Sequence, residues 1–191
     1  NVQVEFITEA GVHGPPLALT VPAESRRTID VGSYLVSGQV SAIVTTTSGA
    51  PVVAERAMYG NGRTWGTATM GAPYAYESWN FAEGCTAGGM ETWLLVLNPT
   101  PEEAVIDIDL MTGTGPIPGL TGQAVPAFSR RTFDLGETVS TYDLAATVTA
   151  TAGYVACERT MFGAGRSWST CTVGTPQMDA IWNFAEGCTA G

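Results

Sequence analysis

The chain has no lysine, and only one histidine, His13, in 191 residues. All eight positive charges are arginines, set against 18 acidic residues for a formal net charge of -10. Nucleic-acid binding needs a basic stripe that releases phosphate counterions, which eight scattered arginines do not form, and the acidity also opposes anionic membrane surfaces. Long apolar runs are missing too. None approaches the roughly 20 residues of a membrane-spanning helix, so no membrane insertion is expected. No signal peptide stands at Asn1, and the chain reads as a mature or excised segment. One histidine cannot build a histidine-rich metal centre, and the four cysteines lack the short paired spacing of zinc sites. Asp107 and Asp109 lack the glycine turn and distal glutamate of a calcium loop. Gly60-Asn-Gly62 and Gly163-Ala-Gly165 have the form of hairpin turns, not phosphate loops. No catalytic residue, cofactor or metal is expected, and the chain is read as non-enzymatic.

What the chain does have is repetition. Residues 55–88 align without gaps to residues 158–191, with 21 of 34 positions identical, and the ten residues Trp79 to Gly88 recur unchanged as Trp182 to Gly191. Upstream, Ser25-Arg-Arg-Thr-Ile-Asp-Val-Gly32 answers Ser129-Arg-Arg-Thr-Phe-Asp-Leu-Gly136. The repeats divide at 1–88 and 89–191. The second opens with the apolar run Glu91-Thr-Trp-Leu-Leu-Val-Leu-Asn98, for which the first has no counterpart. The chain thus reads as if cut from a longer tandem array. The alternative is that the tail, or a neighbouring molecule, supplies the missing strand by strand addition.

Local patterning is strand and turn. Trp93 to Leu97 is a short apolar run ended by Asn98-Pro-Thr-Pro101. Ala104 to Thr112 alternates, with Ile106, Ile108 and Leu110 on one face. Glycine and proline mark Gly113 to Gly122 as a loop. Further strands are expected at 123–126, 130–135, 144–151, 154–162 and 166–173, with helical hints only near 34–39 and 137–142. This predicts an all-β chain of two tandem, immunoglobulin-like antiparallel β-sandwich repeats.

A three-residue loop at Gly163-Ala-Gly165 would set Cys157 opposite Cys171. The first repeat has Ala54 and Ala68 there, so the two cysteines come and go together. A cross-strand disulfide Cys157–Cys171 is expected, two buried free thiols being the alternative. Cys85 and Cys188 occupy equivalent repeat positions about one unit apart, and read as free thiols or assembly cysteines. A disulfide in any of these roles implies an oxidising, extracellular setting.

Every arginine is duplicated, each inside a repeated motif. Adjacent strand residues point to opposite faces, so of Glu158 and Arg159 one must be covered and paired. Two readings follow for Trp79, Glu83, Arg56, Arg63 and Trp65 and their counterparts Trp182, Glu186, Arg159, Arg166 and Trp168. In one they are structural clips and inter-repeat packing. In the other they form an aromatic platform beside carboxylate and guanidinium groups that binds sugar rings. Tryptophans buried at a joint favour the first, and tryptophans exposed beside a groove the second.

The segments Trp79-Asn-Phe-Ala-Glu-Gly84, Glu91-Thr-Trp-Leu-Leu-Val-Leu-Asn-Pro99, Val125-Pro-Ala-Phe-Ser-Arg-Arg131 and Glu55-Arg-Ala-Met-Tyr59 resemble an uncharacterised family of tandem β-rich repeats in large secreted or surface-attached bacterial proteins. The resemblance implies an exported, modular, β-rich protein and brings no activity with it. The resulting expectation is an extracellular module of a stalk, fibre or filament whose partners are neighbouring repeats or copies of the same protein. The alternative is a carbohydrate or cell-wall binding module that recognises surface glycans.

Overall fold

The computed structural model of the chain describes residues 1–187, built of antiparallel strands and a few 3-10 turns. In the first unit, β1 (Val2–Thr8), β2 (Gly11–Leu19) and β3 (Ser41–Thr46) form a sheet in the order β2-β1-β3, while β4 (Glu55–Gly60) and β5 (Trp65–Met70) form a separate hairpin. The second unit is built from β6 (Ser78–Phe81), β7 (Glu91–Asn98), β8 (Ala104–Thr112), β9 (Gly115–Val125), β10 (Ser129–Asp134), β11 (Ala145–Ala152), β12 (Ala156–Gly163) and β13 (Trp168–Val173). Its two sheets run β6-β11-β8-β9 and β10-β7-β12-β13. The expected all-β, sandwich-like architecture is present. These sheets hold four strands each, whereas an immunoglobulin constant-type domain has four and three, in a different order.

Period-2 alternation explains why these segments are strands. On β8, Ile106, Ile108 and Leu110 are buried while Asp107 and Asp109 turn away from the core. On β7, Leu94 and Val96 are buried and Leu95 and Leu97 lie half-covered on the opposite face, as suits a central strand. The two sheets close over one core containing Trp79, Phe81, Leu94, Ile106, Ile108, Val125, Phe133, Val148 and Val155. Burial of each such large side chain contributes roughly 1.5–3 kcal/mol. At the end of β7 the buried Asn98 amide donates to the carbonyls of Glu102, Val125 and Pro126, while its oxygen accepts from the Thr100 N–H. The Asn-Pro-Thr-Pro segment therefore ends the strand and ties the following turn to β9.

The first unit has the same plan with less of it covered. Val2, Val4 and Phe6 are buried against half-covered Leu17, Leu19, Ile29 and Leu35. Arg26 to Asp30, the counterpart of β10, is not a strand. β10 is one because it pairs with β7 from Ser129↔Asn98 to Asp134↔Trp93, and no described segment of the first unit offers that partner.

Three expectations are corrected. Gly113 to Gly122 is mostly strand: β9 runs through it with two register shifts against β8. Glycine is needed at 119, where an added Cβ would lie 1.9 Å from the Ile108 carbonyl oxygen. The helical hints resolve to 3-10 turns a few residues earlier, Val31–Ser33 and Leu135–Glu137. The repeated aspartates Asp30 and Asp134 cap them, accepting from the N–H groups of Gly32 and Gly136.

The third correction removes the Cys157–Cys171 disulfide. The hairpin loop is Ala164 to Ser167, not three residues, and β12 pairs with β13 as Thr160↔Cys171 and Gly163↔Trp168. Cys157 therefore lies opposite Gly174, whose N–H donates to its carbonyl. An odd shift of register sends the two side chains to opposite faces. Cys157 is fully buried in the core, Cys171 sits on the outer face, and both are free thiols, the alternative reading of the pair. Ala164, Gly165 and Arg166 are all left-handed, with φ of 49°, 65° and 61°, and Asn61, Gly62 and Arg63 repeat this at 49°, 66° and 67°. The repeated Gly-Arg dipeptide belongs to this loop.

Candidate functional site

Part of the set singled out by repetition, Trp79, Arg56 and Trp65, lies with Glu158 and Arg130 at the joint between the two units. Its centre is β6, which follows the hairpin of the first unit yet pairs with β11 of the second: Trp79↔Val148 and Phe81↔Ala146. Tyr76 bridges Val155 just before this strand, and Asn80 within it bridges Thr175 on its other edge. Trp79 is 2% exposed, its ring meets Tyr76 edge-on at 5.5 Å, and its indole N–H donates to the Val155 carbonyl at 2.7 Å. An indole buried this deeply needs a partner for its N–H, and a backbone carbonyl supplies it. The Asn80 amide donates to the Thr175 carbonyl, and the Gly84 carbonyl accepts from the Leu144 N–H. The sequence boundary at 88/89 thus marks the repetition, whereas the packing puts Ser78–Phe81 in the sandwich of the second unit.

Two further contacts cross the joint. The β4–β5 hairpin lies against β13, where Arg56 forms an ion pair with Glu158 and its Nη2 donates to the Cys171 sulfur at 3.0 Å. Trp65 meets Phe162 edge-on at 5.2 Å. Burial works to lower the Arg56 pKa, but the charges of Glu158 and Cys171 and their hydrogen bonds outweigh it, and the net shift is upward. Burial pushes the Cys171 thiol up, and the Cys157 thiol well above its usual range. On the other side of the joint Arg130, only 1% exposed, donates to Gln39 Oε1 at 2.7 Å, Ser41 Oγ at 3.2 Å and Thr132 Oγ1 at 2.8 Å. Its nearest carboxylate, on Glu9, is 3.9 Å away. Burial lowers its pKa, with the Glu9 charge opposing.

The duplicated residues differ between the units in their charged pairings. Arg159, the counterpart of Arg56, turns toward the interior and donates from Nη1 to the Glu83 carbonyl at 2.6 Å. Glu158 pairs with Arg56 across the joint, not with its neighbour Arg159. Arg166 holds Glu91 through Nε and Nη2 and lies over Phe162, with its guanidinium 4.8 Å from the ring centroid. Arg63 repeats the aromatic part of this contact, lying over Tyr59, the counterpart of Phe162. Trp65 and Trp168 each cover a hairpin glycine, where a Cβ on Gly60 or Gly163 would lie 2.0 or 2.3 Å from the ring. The carboxylates of Glu83 and Glu186 are exposed, as is Trp182 at 54%. A single aromatic platform does not form: Trp79 is buried, Trp65 covers its own hairpin, and Trp168 and Trp182 are the exposed members of the set.

Cys85 is buried, its N–H donating to Thr92 Oγ1, and is also free. Cys188 lies outside the described residues. Among the described residues, no group of three or more His, Cys, Asp or Glu side chains is placed to hold a metal ion. His13 is exposed on β2.

Repetition could not reveal Gln39, Ser41 or Glu9. They line up with Asp143, Ala145 and Gly113 of the second unit, so the Arg130 contacts are made by residues that differ between repeats. Departure from the repeat, not conformity with it, was the signal for them.

No protein-family model matches the chain, and no curated protein sequence matches it. Solved structures similar to part of it include the following two. One is titled "Crystal Structure of Thermotoga maritima 1070", at 15% identity and a TM-score of 0.46, covering 54% of this chain and 96% of that one. The other is the Anabaena sensory rhodopsin transducer, at 18% identity and a TM-score of 0.39, covering 45% of this chain and 96% of that one. Likenesses at this level carry nothing about what the chain does.

Proposed function

We propose that the chain is a structural repeat module in which the tail of one unit completes the sandwich of the next, joining tandem units into a stalk, fibre or filament outside the cell. The supporting observation is β6, a strand from the end of one repeat that is built into the core of the following one through Trp79. A unit that borrows an edge strand is coupled to its neighbour through backbone hydrogen bonds and buried area, unlike beads on a flexible linker. Arg130 and the Arg56–Glu158 pair add fixed contacts at the same joint. Placement outside the cell rests on the motif resemblance, since the free thiols at 157 and 171 lend it no support. No catalysis is assigned.

Imaging of the native assembly with an antibody to this chain tests the reading. Labelled linear stalks or fibres are expected, and label on dispersed single molecules contradicts it. The glycan-binding alternative retains the exposed Trp168 and Trp182. Glycan-array binding that disappears on Trp182→Ala would favour it.

A further inference from the structure

We propose that the free edge of β3 takes the Ile181–Gly187 segment of a second copy of the chain as an added strand. The inference rests on the strand-complemented reading above and names its partner. β3 is the counterpart of β11: Ala42 and Val44 stand where Ala146 and Val148 stand in the second unit. β11 has β8 on one side and β6 on the other, whereas β3 pairs with β1 and, among the described residues, has no strand on its second edge. The inner face there is uncovered. Val44 is 40% exposed where Val148 is fully buried, and Val52 is 42% exposed where its counterpart Val155 is fully buried. An open edge with apolar side chains beside it is a template for a further strand.

The chain also carries an unpaired copy of the strand that fits. Trp182 to Gly187 repeats Trp79 to Gly84 without a change. In place of burial, Ile181, Trp182 and Phe184 are 77%, 54% and 87% exposed. Carrying over the β6–β11 register sets Trp182 opposite Val44 and Phe184 opposite Ala42, with the indole N–H directed to the Val52 carbonyl.

The second copy, not the chain's own tail, is the donor because of the direction of the repeat. The second unit takes its edge strand from the unit before it. Residues 177–187, which follow β13, are all exposed and form no ladder with β3 in the chain itself. The joint between copies is weaker than the one within the chain, since Ile43 replaces Thr147, whose hydroxyl donates to Asn80.

The test is a labelled peptide of residues Asp179 to Gly187, titrated with the full chain at physiological ionic strength, together with sedimentation of the full chain alone. Expected are saturable peptide binding and concentration-dependent oligomers that excess peptide disperses. Trp182→Ala in the peptide should weaken binding more than about 100-fold, the equilibrium equivalent of deleting a buried tryptophan. Val44→Glu, at an exposed position, should abolish binding and leave the second unit's unfolding unchanged. Absence of saturable binding would overturn the inference, as would binding indifferent to Val44→Glu, which would mean exchange with β6 on β11. Oligomers that neither substitution nor peptide affects would also overturn it while leaving the fibre reading standing; that reading fails separately, on the imaging.

Discussion

The indole N–H of Trp79 donates to the carbonyl of Val155 across 2.7 Å, joining the last segment of one repeat to the core of the next. Both residues are buried, and the same carbonyl also accepts from the Tyr76 N–H, so the large indole volume and not the single hydrogen bond dominates what Trp79 contributes. Trp79→Ala should therefore destabilise the second unit by about 3–5 kcal/mol. Trp79→Phe, which keeps most of the volume and leaves the Val155 carbonyl its bond from the Tyr76 N–H, should cost only about 0.5–1.5 kcal/mol. Urea unfolding followed at the far-ultraviolet strand signal measures both.

The Arg56–Glu158 pair and the Arg130 cluster should govern how firmly the units are held together. Arg56 and Glu158 are each about a third exposed, so solvent screens them, and a double-mutant cycle should give a coupling near 1 kcal/mol. Arg130 is almost fully buried, and Arg130→Ala removes its hydrogen bonds to Gln39, Ser41 and Thr132 and leaves a cavity, at a cost of about 2–3 kcal/mol. Small-angle scattering should show a larger radius of gyration for Arg130→Ala than for the parent chain, and an unchanged radius would contradict its role at the joint.

Cys157 and Cys171 should behave as two unlike thiols. Peptide mapping without reduction should find both free, and a reductant should leave the melting temperature unchanged. Alkylation of the native protein should spare Cys157, which is fully buried with its pKa pushed well up. Cys157→Ala should cost about 1 kcal/mol as a small cavity. A disulfide-linked peptide containing both residues would contradict the observed register.

The Arg166–Glu91 contact predicts a modest acid limb. The hydrogen bond from Arg166 holds the Glu91 carboxyl below its ordinary value of 4.5, so its contribution is complete above that pH and fades as pH falls through the lowered value. Because the pair is largely exposed, Glu91→Gln should remove less than about 1 kcal/mol at neutral pH and flatten the stability profile below pH 4.5. Stability curves of the two proteins from pH 3 to 7 measure this.

The strands were legible because alternation has a period of two, and Ala104–Thr112 stands as read. The hairpin register was not, because it depends on loop length, and Ala164 and Arg166 take left-handed conformations that their side chains do not advertise. That single misjudged loop turned Cys157 and Cys171 from facing residues into residues on opposite faces. Repetition drew attention to Trp79, Arg56 and Glu158, which lie at the joint. It could not show which unit a segment packs with: Trp79 to Gly84 and Trp182 to Gly187 are one sequence in two environments, buried in the first and exposed in the second. Burial there is decided by an acceptor edge elsewhere in the chain, which no local pattern records.

That pair of segments provides the most direct measurement. From Asn80 and Asn183 onward their intrinsic amide exchange rates are matched by sequence, and their different flanking residues distinguish the two. In dilute protein, the Asn80 amide, bonded to the Thr175 carbonyl at 2.8 Å, should exchange as slowly as the amides of β11, and the Asn183 amide near its intrinsic rate. Equal, fast exchange at Asn80 and Asn183 would contradict the account, because β6 would then be no part of the second unit's fold.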